Sequence, residues 1–596
     1  MAKQIRLSIA WSLLAFFLFM LGNDGHSLWD RDEPRYAVAT QEMLRTGDFI
    51  VPHFNGDIRF DKPILTYWLM APAMAAFGET EFAVRLPSAL MGALRVLVIF
   101  HFAVALGCSI RGASVAAIVA MLSAMLMLVS KAATTDSTLI LTVVAALYIW
   151  WEQQRLGFAW WRHVLFWVVI GLSILVKGPP GIAVVAFAVL GYHGWTWWNR
   201  RSGTEDHGLL PALPHRPEVF DAKTQLVRWA SGLAVMLAVT LPWVIPTWVR
   251  TDGEFFRVAV GVHVIERTQV AINYHAGPIY YYIPVVIAVL LPFTALALNS
   301  FVWGLAKRRC DAMRFLWSWF VPGFVMFSLV TTKLPHYIAP LLPAIALMAG
   351  LWWTMHERAA TEPRQWPGWR WIGGVFTALA GLAMVVGLPV AVRMMEFPVS
   401  LVPFIVVGVV FGGGVAAGAV LWLARQDMYA VTTWGLSIAV GVPMALLWGM
   451  PALDEFRPSR KMVEWIRENA PEETRLAAVR YQEPSLVFYW GDYVDMVGTE
   501  ERDRGFALLN DVENPTAMVI TGQEWEQGDF RRLYTGEVDP RVLVLHDENY
   551  YYFEQGRWQR MLVVGNWDPN TTAVASKNEA GQPTGGRTPD NHDSLR

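Results

Sequence analysis

The chain has 596 residues, of which 54% are hydrophobic and only 16% charged, with 30 Trp among them. A soluble domain carries about 25% charged residues, so a purely soluble enzyme is excluded. The formal net charge of -2 hides a division: residues 1–450 hold 32 Lys and Arg against 24 Asp and Glu, and residues 451–596 hold 16 against 26. A basic membrane body, 1–450, is expected to precede a small acidic α/β region, 451–567. The Pro-, Gly-, Asn- and Thr-rich stretch 568–596 has few apolar residues and reads as a disordered tail. Cys108 and Cys310 lie beside short basic loops and indicate neither a disulfide framework nor a cysteine metal site.

Crossing about 30 Å of hydrocarbon takes about 20 apolar residues, and about thirteen stretches are candidates. They are 5–22, 86–107, 113–130, 136–151, 163–177, 180–198, 229–249, 279–303, 313–331, 335–355, 371–391, 399–424 and 429–450. The first is read as a retained helix, because no small-residue cleavage site follows Leu21. Cytoplasmic loops collect Lys and Arg. With Lys3 and Arg6 inside, Arg111, then Arg155 and Arg162, then Arg200 and Arg201 fall on the same side. Lys307 to Arg309, Arg358 with Arg364, and Arg425 continue the alternation. An odd number of crossings then puts residues 451–596 on the outer side of the membrane.

Two loops share that side, 23–85 and 250–278. In the first, Asp32 followed by Glu33, Pro34 and Arg35 reads as a helix start with a carboxylate cap and Pro in the first turn. The run Tyr36 to Arg45 is then a short helix lying along the membrane surface. In the C-terminal region Lys461–Asn469 reads as a helix. The stretches 476–479, 486–489, 517–520, 542–545 and 558–564 read as strands.

The first loop sets Asp30, Asp32, Glu33, Arg35, Asp61 and Lys62 just outside the hydrocarbon, among Tyr36, Tyr67 and Trp68. A solvated loop with interfacial aromatic anchors would look similar. The alternative is a site in which carboxylates act as base or metal ligand while Arg and Lys hold an anion. Asp136 opens the fourth span, where an ionisable residue is a functional candidate and where capping by Asp136 or Thr135 is the plainer reading. Snorkelling accounts for Lys177 at the end of the fifth span. Lys333, His336 and Tyr337 begin another outer helix, and Arg257, His263, Glu266, Arg267 and His275 occupy the second outer loop. Charges from four separate loops thus converge on one side of the membrane. Such a site suits a substrate with a phosphate head and a lipid tail, because phosphates take Arg forks and Lys point charges. There is no Walker loop and no dinucleotide fingerprint after a strand, which favours a donor already activated as a lipid-phosphate sugar.

The segment Asp32-Glu33-Pro34-Arg35-Tyr36-Ala37, with Glu42, Gly47-Asp48, Pro52, Asn55-Gly56, Phe60-Asp61-Lys62-Pro63 and Tyr67-Trp68, resembles the first outer loop of bacterial aminoarabinose:lipid A transferases. These belong with protein O-mannosyltransferases to the GT-C membrane glycosyltransferases. Thr135-Asp136, Lys177-Gly178-Pro179, Glu266-Arg267, His275-Ala276-Gly277-Pro278 and Lys333-Leu334-Pro335-His336-Tyr337 extend the likeness over most of the membrane body. The chain departs from the family pattern at Arg59, where an aromatic is usual, and at Asp61, where Glu is usual.

The resemblance implies a GT-C fold with catalytic carboxylates at Asp32, Asp136 and Asp61. It implies substrate binding by Arg35, Lys62, Arg267, Tyr337, Lys333 and His275, and it leaves room for a divalent metal bridging Asp32 and Asp136. The partners implied are a polyprenyl-phosphate (undecaprenyl-phosphate) sugar donor, a lipid or glycan acceptor such as lipid A, and membrane lipids, with no nucleic acid. A flippase of lipid-linked sugars is the competing reading. Transporters place their sites near the bilayer midplane between repeats, whereas here charge gathers at one surface and no repeat is evident. An interaction scaffold would account for residues 451–596 but leave Asp32, Lys62 and Asp136 without a role.

Overall fold

The computed structural model describes residues 2–201, 221–261, 277–358, 367–498, 501–511, 513–527, 542–553 and 555–567. It divides into two compact units, Met1–Asp454 and Glu455–Arg596. The first is a polytopic helical membrane body. Its opening elements are α1 (Ala2–Met20), α2 (Asp32–Thr46), the short strands β1 (His53–Phe54) and β2 (Asp57–Ile58), α3 (Leu65–Phe77) and α4 (Glu81–Ala105). Then come α5 (Ile110–Leu122), α6 (Ala124–Lys131), α7 (Asp136–Leu156), α8 (Trp160–Lys177) and α9 (Pro179–Arg201).

The count of thirteen crossings is not confirmed. Among the described residues nine helices are long and apolar enough to cross a membrane, or ten if the bent pair α5 and α6 is one span. Helices do occupy the three remaining predicted stretches, but α7 and α9 fail on composition. The third stretch is split into Tyr282–Val289 and Thr294–Ala306, each too short alone.

The 59° bend between α5 and α6 has an identifiable filler. Arg95, fully buried on α4, donates from Nη2 to Ala120 O at 3.3 Å, Leu126 O at 3.0 Å and Ser130 Oγ at 3.1 Å, supplying the donors that a broken ladder lacks. Just beyond, Lys131 donates to the carbonyls of Leu18, Phe19 and Leu21 at 3.2, 2.9 and 2.9 Å, where the end of α1 leaves acceptors unpaired. Small residues let the helices approach closely, as elsewhere in membranes. A Cβ on Gly112 would stand 2.5 Å from the carbonyl oxygen of Gly350.

The second unit carries a five-stranded sheet in the order β4-β3-β5-β7-β6: β3 (Arg475–Val479), β4 (Val494–Val497), β5 (Thr516–Thr521), β6 (Leu543–Tyr552) and β7 (Arg557–Gly565). The pairs β3–β4 and β3–β5 are parallel, and β5–β7 and β6–β7 are antiparallel. Val479, Ile520, Leu562 and Val564 lie in its core, and the helix Pro458–Asn469 covers the predicted 461–469. The predicted strand 486–489 is instead part of the helix Pro484–Trp490. Its β-rich composition is overridden by Pro484 in the first turn and by Gly491 at φ 78°, which closes it. The predicted tail, 568–596, lies outside the described residues.

Candidate active site

The site is assembled around a buried ion pair that joins four segments. Arg85 of α4 and Glu33 of α2 are each 1% exposed. The guanidinium grips the carboxylate through Nε to Oε1 at 3.1 Å and Nη2 to Oε2 at 2.7 Å. Its remaining donors go to the carbonyls of Asn23, His26 and Ser27 at 2.6, 3.1 and 3.0 Å. Glu33 in turn accepts the backbone N–H groups of Trp29 at 2.8 Å and Ala133 at 2.6 Å. Burial alone would raise the Glu33 pKa, but the charge of Arg85 and these hydrogen bonds hold it below the usual carboxylate value. The network fixes the backbone immediately before Asp32 and shortly before Asp136.

This arrangement changes the expected role of α2. It is a helix, as predicted, and Glu33, Pro34 and Tyr36 to Met43 are buried, so most of its length is enclosed by protein. Asp32 is not its cap: the cap position is Arg31, with no side-chain capping bond. Asp32 is the first helical residue and is solvent-exposed. It forms no ion pair among the described residues, so its carboxylate is not consumed by structure. Arg35 stands one turn further, partly exposed and also without an ion pair among the described residues.

Strands β1 and β2 pair as a hairpin across Asn55 and Gly56, both with positive φ (54° and 85°), as an Asn-Gly turn requires. Glu42 of α2 accepts the N–H groups of Asn55 and Gly56 at 2.5 and 3.4 Å. The hairpin leads into Arg59, Asp61 and Lys62. Arg59 donates through Nε to the Tyr67 hydroxyl at 2.8 Å, lies 5.1 Å over the Tyr36 ring and stands 3.5 Å from Asp61 Oδ2. Burial opposes its charge, but the Tyr67 oxygen and the Asp61 carboxylate hold its pKa above the ordinary value.

At the start of α7 Asp136 is 5% exposed. The expected capping role is not what the structure shows. The cap position is Thr135, without a side-chain bond, and the N–H of Asp136 reaches Thr134 Oγ1 at 3.5 Å. The Asp136 carboxylate instead accepts Lys177 Nζ at 2.6 Å, across from the end of α8. Lys177 also stands 5.6 Å over the Tyr337 ring. A lysine that meets a buried carboxylate is not snorkelling, and the reading of Lys177 as an interfacial helix end is corrected accordingly. Lys62 and His336 bear electrostatically on Asp136 as well, and Asp32 on His336 and Tyr36.

Of the residues singled out from sequence, the structure thus gathers Asp32, Asp61, Lys62, Asp136 and Tyr337. Lys333 is buried and donates to the Val330 carbonyl at 2.5 Å, with its stem close to Gly277. Arg267 and His275, with His263 and Glu266, lie outside the described residues. Sequence reasoning gave no site role to Arg59, Arg85, Lys177 or His336, and named Glu33 only among the charged residues of the first loop. Lys177 and His336 had a usable signal, since both belong to the matched motifs Lys177-Gly178-Pro179 and Lys333-Leu334-Pro335-His336-Tyr337. Arg85 had none, being one arginine near the start of an apolar helix. Among the described residues no group of three or more His, Cys, Asp or Glu is placed to hold a metal ion.

Residues 9–251 match the family model of dolichyl-phosphate-mannose-protein mannosyltransferase. The undecaprenyl phosphate-alpha-4-amino-4-deoxy-L-arabinose arabinosyl transferase of Serratia proteamaculans is 26% identical over 481 residues, 79% of this chain and 81% of that protein. An enzyme of the same name from Pseudomonas fluorescens is 29% identical over 487 residues, 78% of this chain and 77% of that protein. The fold is that of ArnT from Cupriavidus metallidurans, solved bound to undecaprenyl phosphate, with a TM-score of 0.73 at 22% identity over 94% of this chain and 98% of that one. The partial family match and the relatives agree with the fold: the chain is similar to the membrane glycosyltransferases of the aminoarabinose-transferase and protein O-mannosyltransferase type, and shares the fold of the former.

Proposed function

We propose that this glycosyltransferase moves a sugar from a polyprenyl-phosphate donor, such as undecaprenyl phosphate, to an acceptor such as lipid A or another glycolipid at the periplasmic face of the inner membrane. The observation that carries this reading is the exposed, uncapped carboxylate of Asp32 standing in one cluster with Lys62, Asp136, Lys177 and His336. Asp32 takes the proton of the acceptor hydroxyl or phosphate, whose oxygen forms a bond to the anomeric carbon. The bond from that carbon to the lipid phosphate breaks, and the phosphate leaves with its electron pair. Lys62, together with Arg35 and Arg267, stabilises the growing charge on the leaving group, and Asp136 is oriented by Lys177 beside it. The named activity of the relatives, which use an undecaprenyl phosphate-linked sugar, supports a donor of this class.

Purified protein incubated with a panel of undecaprenyl-phosphate sugars and envelope lipids, with products identified by mass spectrometry, tests the reading. Sugar transfer is expected. Movement of intact lipid-linked sugar without sugar loss would replace it with a flippase. Reporter fusions after Arg111 and Lys307 are expected to read cytoplasmic, and fusions after Gly56 and Glu468 periplasmic. A cytoplasmic result after Gly56 would move the site to the other side of the membrane.

A further inference from the structure

The relatives act on a sugar that bears an amine at C4. An ammonium group entering a partly buried site needs a carboxylate of its own, because an unpaired buried charge is costly. This site offers none to spare. Asp136 is engaged by Lys177 at 2.6 Å and Asp61 is paired with Arg59 at 3.5 Å, while Asp32 is required for the acceptor proton. Lys177 and Lys62 meanwhile bear on Asp136, and Arg59 lies over Tyr36, one turn after Asp32 on α2.

Arg59 is the residue among these that cannot move aside. Its side chain is 7% exposed, its Nε is held by the Tyr67 hydroxyl, and its guanidinium lies over Tyr36. Tyr36 lies one turn after Asp32 on α2, and Arg59, Asp32 and Asp136 all bear electrostatically on its hydroxyl. A guanidinium stays charged at every relevant pH, and its fixed fork suits sugar hydroxyls. Resting on the glycosyl transfer proposed above, we infer that Arg59 is a specificity-determining residue. By occupying Asp61 and adding its own charge, it selects a lipid-phosphate sugar with a neutral hydroxyl where the relatives' sugar carries an amine. Specificity of this kind comes from a repulsive element as much as from an attractive one.

The test uses the full-length protein with lipid A as acceptor. Initial rates are compared for undecaprenyl-phosphate arabinose and undecaprenyl-phosphate 4-amino-4-deoxy-arabinose. The wild type is expected to favour the neutral donor by about tenfold or more. Arg59→Met should reduce that preference by a similar factor, and Arg59→Lys should keep it. Asp61→Asn, which leaves Arg59 uncompensated, should increase the preference, and it provides a readout if Arg59→Met does not fold. The ratio of the two donors is unaffected by a merely structural role, which would lower both rates together. A wild type that prefers the amino sugar, or an unchanged ratio in Arg59→Met, would overturn the assignment to Arg59 while leaving glycosyl transfer intact. Absence of turnover with either donor would remove both.

Discussion

Lys177 donates to Asp136 across 2.6 Å while standing over the ring of Tyr337, so the end of α8, the start of α7 and the segment before Leu342 meet at one ammonium group. The three lie far apart in sequence and make a single wall of the site only because α7 and α8 run antiparallel.

That pairing separates two roles of Asp136. Lys177→Met leaves a buried carboxylate without its partner, which costs about 3–5 kcal/mol and should lower the thermal midpoint in detergent. Combining it with Asp136→Asn removes the stranded charge and should restore most of the stability, but not the activity. A double variant that regains both would show that the pair is only structural.

At Asp32 the expectation is the reverse, activity lost with stability kept. The carboxylate is exposed and caps nothing, so Asp32→Asn should melt like the wild type while turnover falls by at least the roughly hundredfold of a lost acid-base group. Asp30→Asn should be much milder. Near-normal sugar transfer by Asp32→Asn would refute the role assigned to this carboxylate.

Lys62→Ala should weaken use of the lipid-phosphate donor by roughly tenfold to more than hundredfold, because a charge-assisted contact contributes about 1.5–3 kcal/mol. The comparison is one of donor titrations at matched expression. Unaltered kinetics would place Lys62 outside the phosphate site.

Glu33 gives the protein a pH-dependent component of stability. Its folded pKa lies below the ordinary value. The pair with Arg85 therefore contributes fully above the unfolded value of about 4.3, and the contribution is lost as pH falls through the lower folded pKa. Melting curves should show the wild type losing stability in that acidic window. Glu33→Gln, less stable by about 3–5 kcal/mol at neutral pH, should lose less there. Parallel curves for the two proteins would show that Glu33 is not the titrating group.

The membrane body was legible because a run of apolar residues has one stable use in lipid, and the first loop because Asp32, Lys62 and their aromatic neighbours crowd into a short span. What escaped was pairing across distance. Arg85 and Glu33 are 52 residues apart, and Lys177 and Asp136 are 41 apart. No local pattern says which buried charge another will meet. Of the two carboxylates read as caps, Asp136 was misread for a related reason, since Lys177 draws it away from the helix end, whereas Asp32 is the first helical residue with Arg31 at the cap position. At 486–489 the apolar run was the right length for a strand, and the bracketing Pro484 and Gly491 were the overlooked signal.

The grip of Lys131 on the last carbonyls of α1 makes that helix more than a hydrophobic anchor. The segment carrying Asn23, His26 and Ser27 to Arg85 departs from the clamped end, so the foundation of the site is laid by the first crossing of the chain. Any substitute helix of equal length and greasiness could insert the protein, yet it would reproduce the site only by presenting its terminal carbonyls to the same ammonium at the same depth.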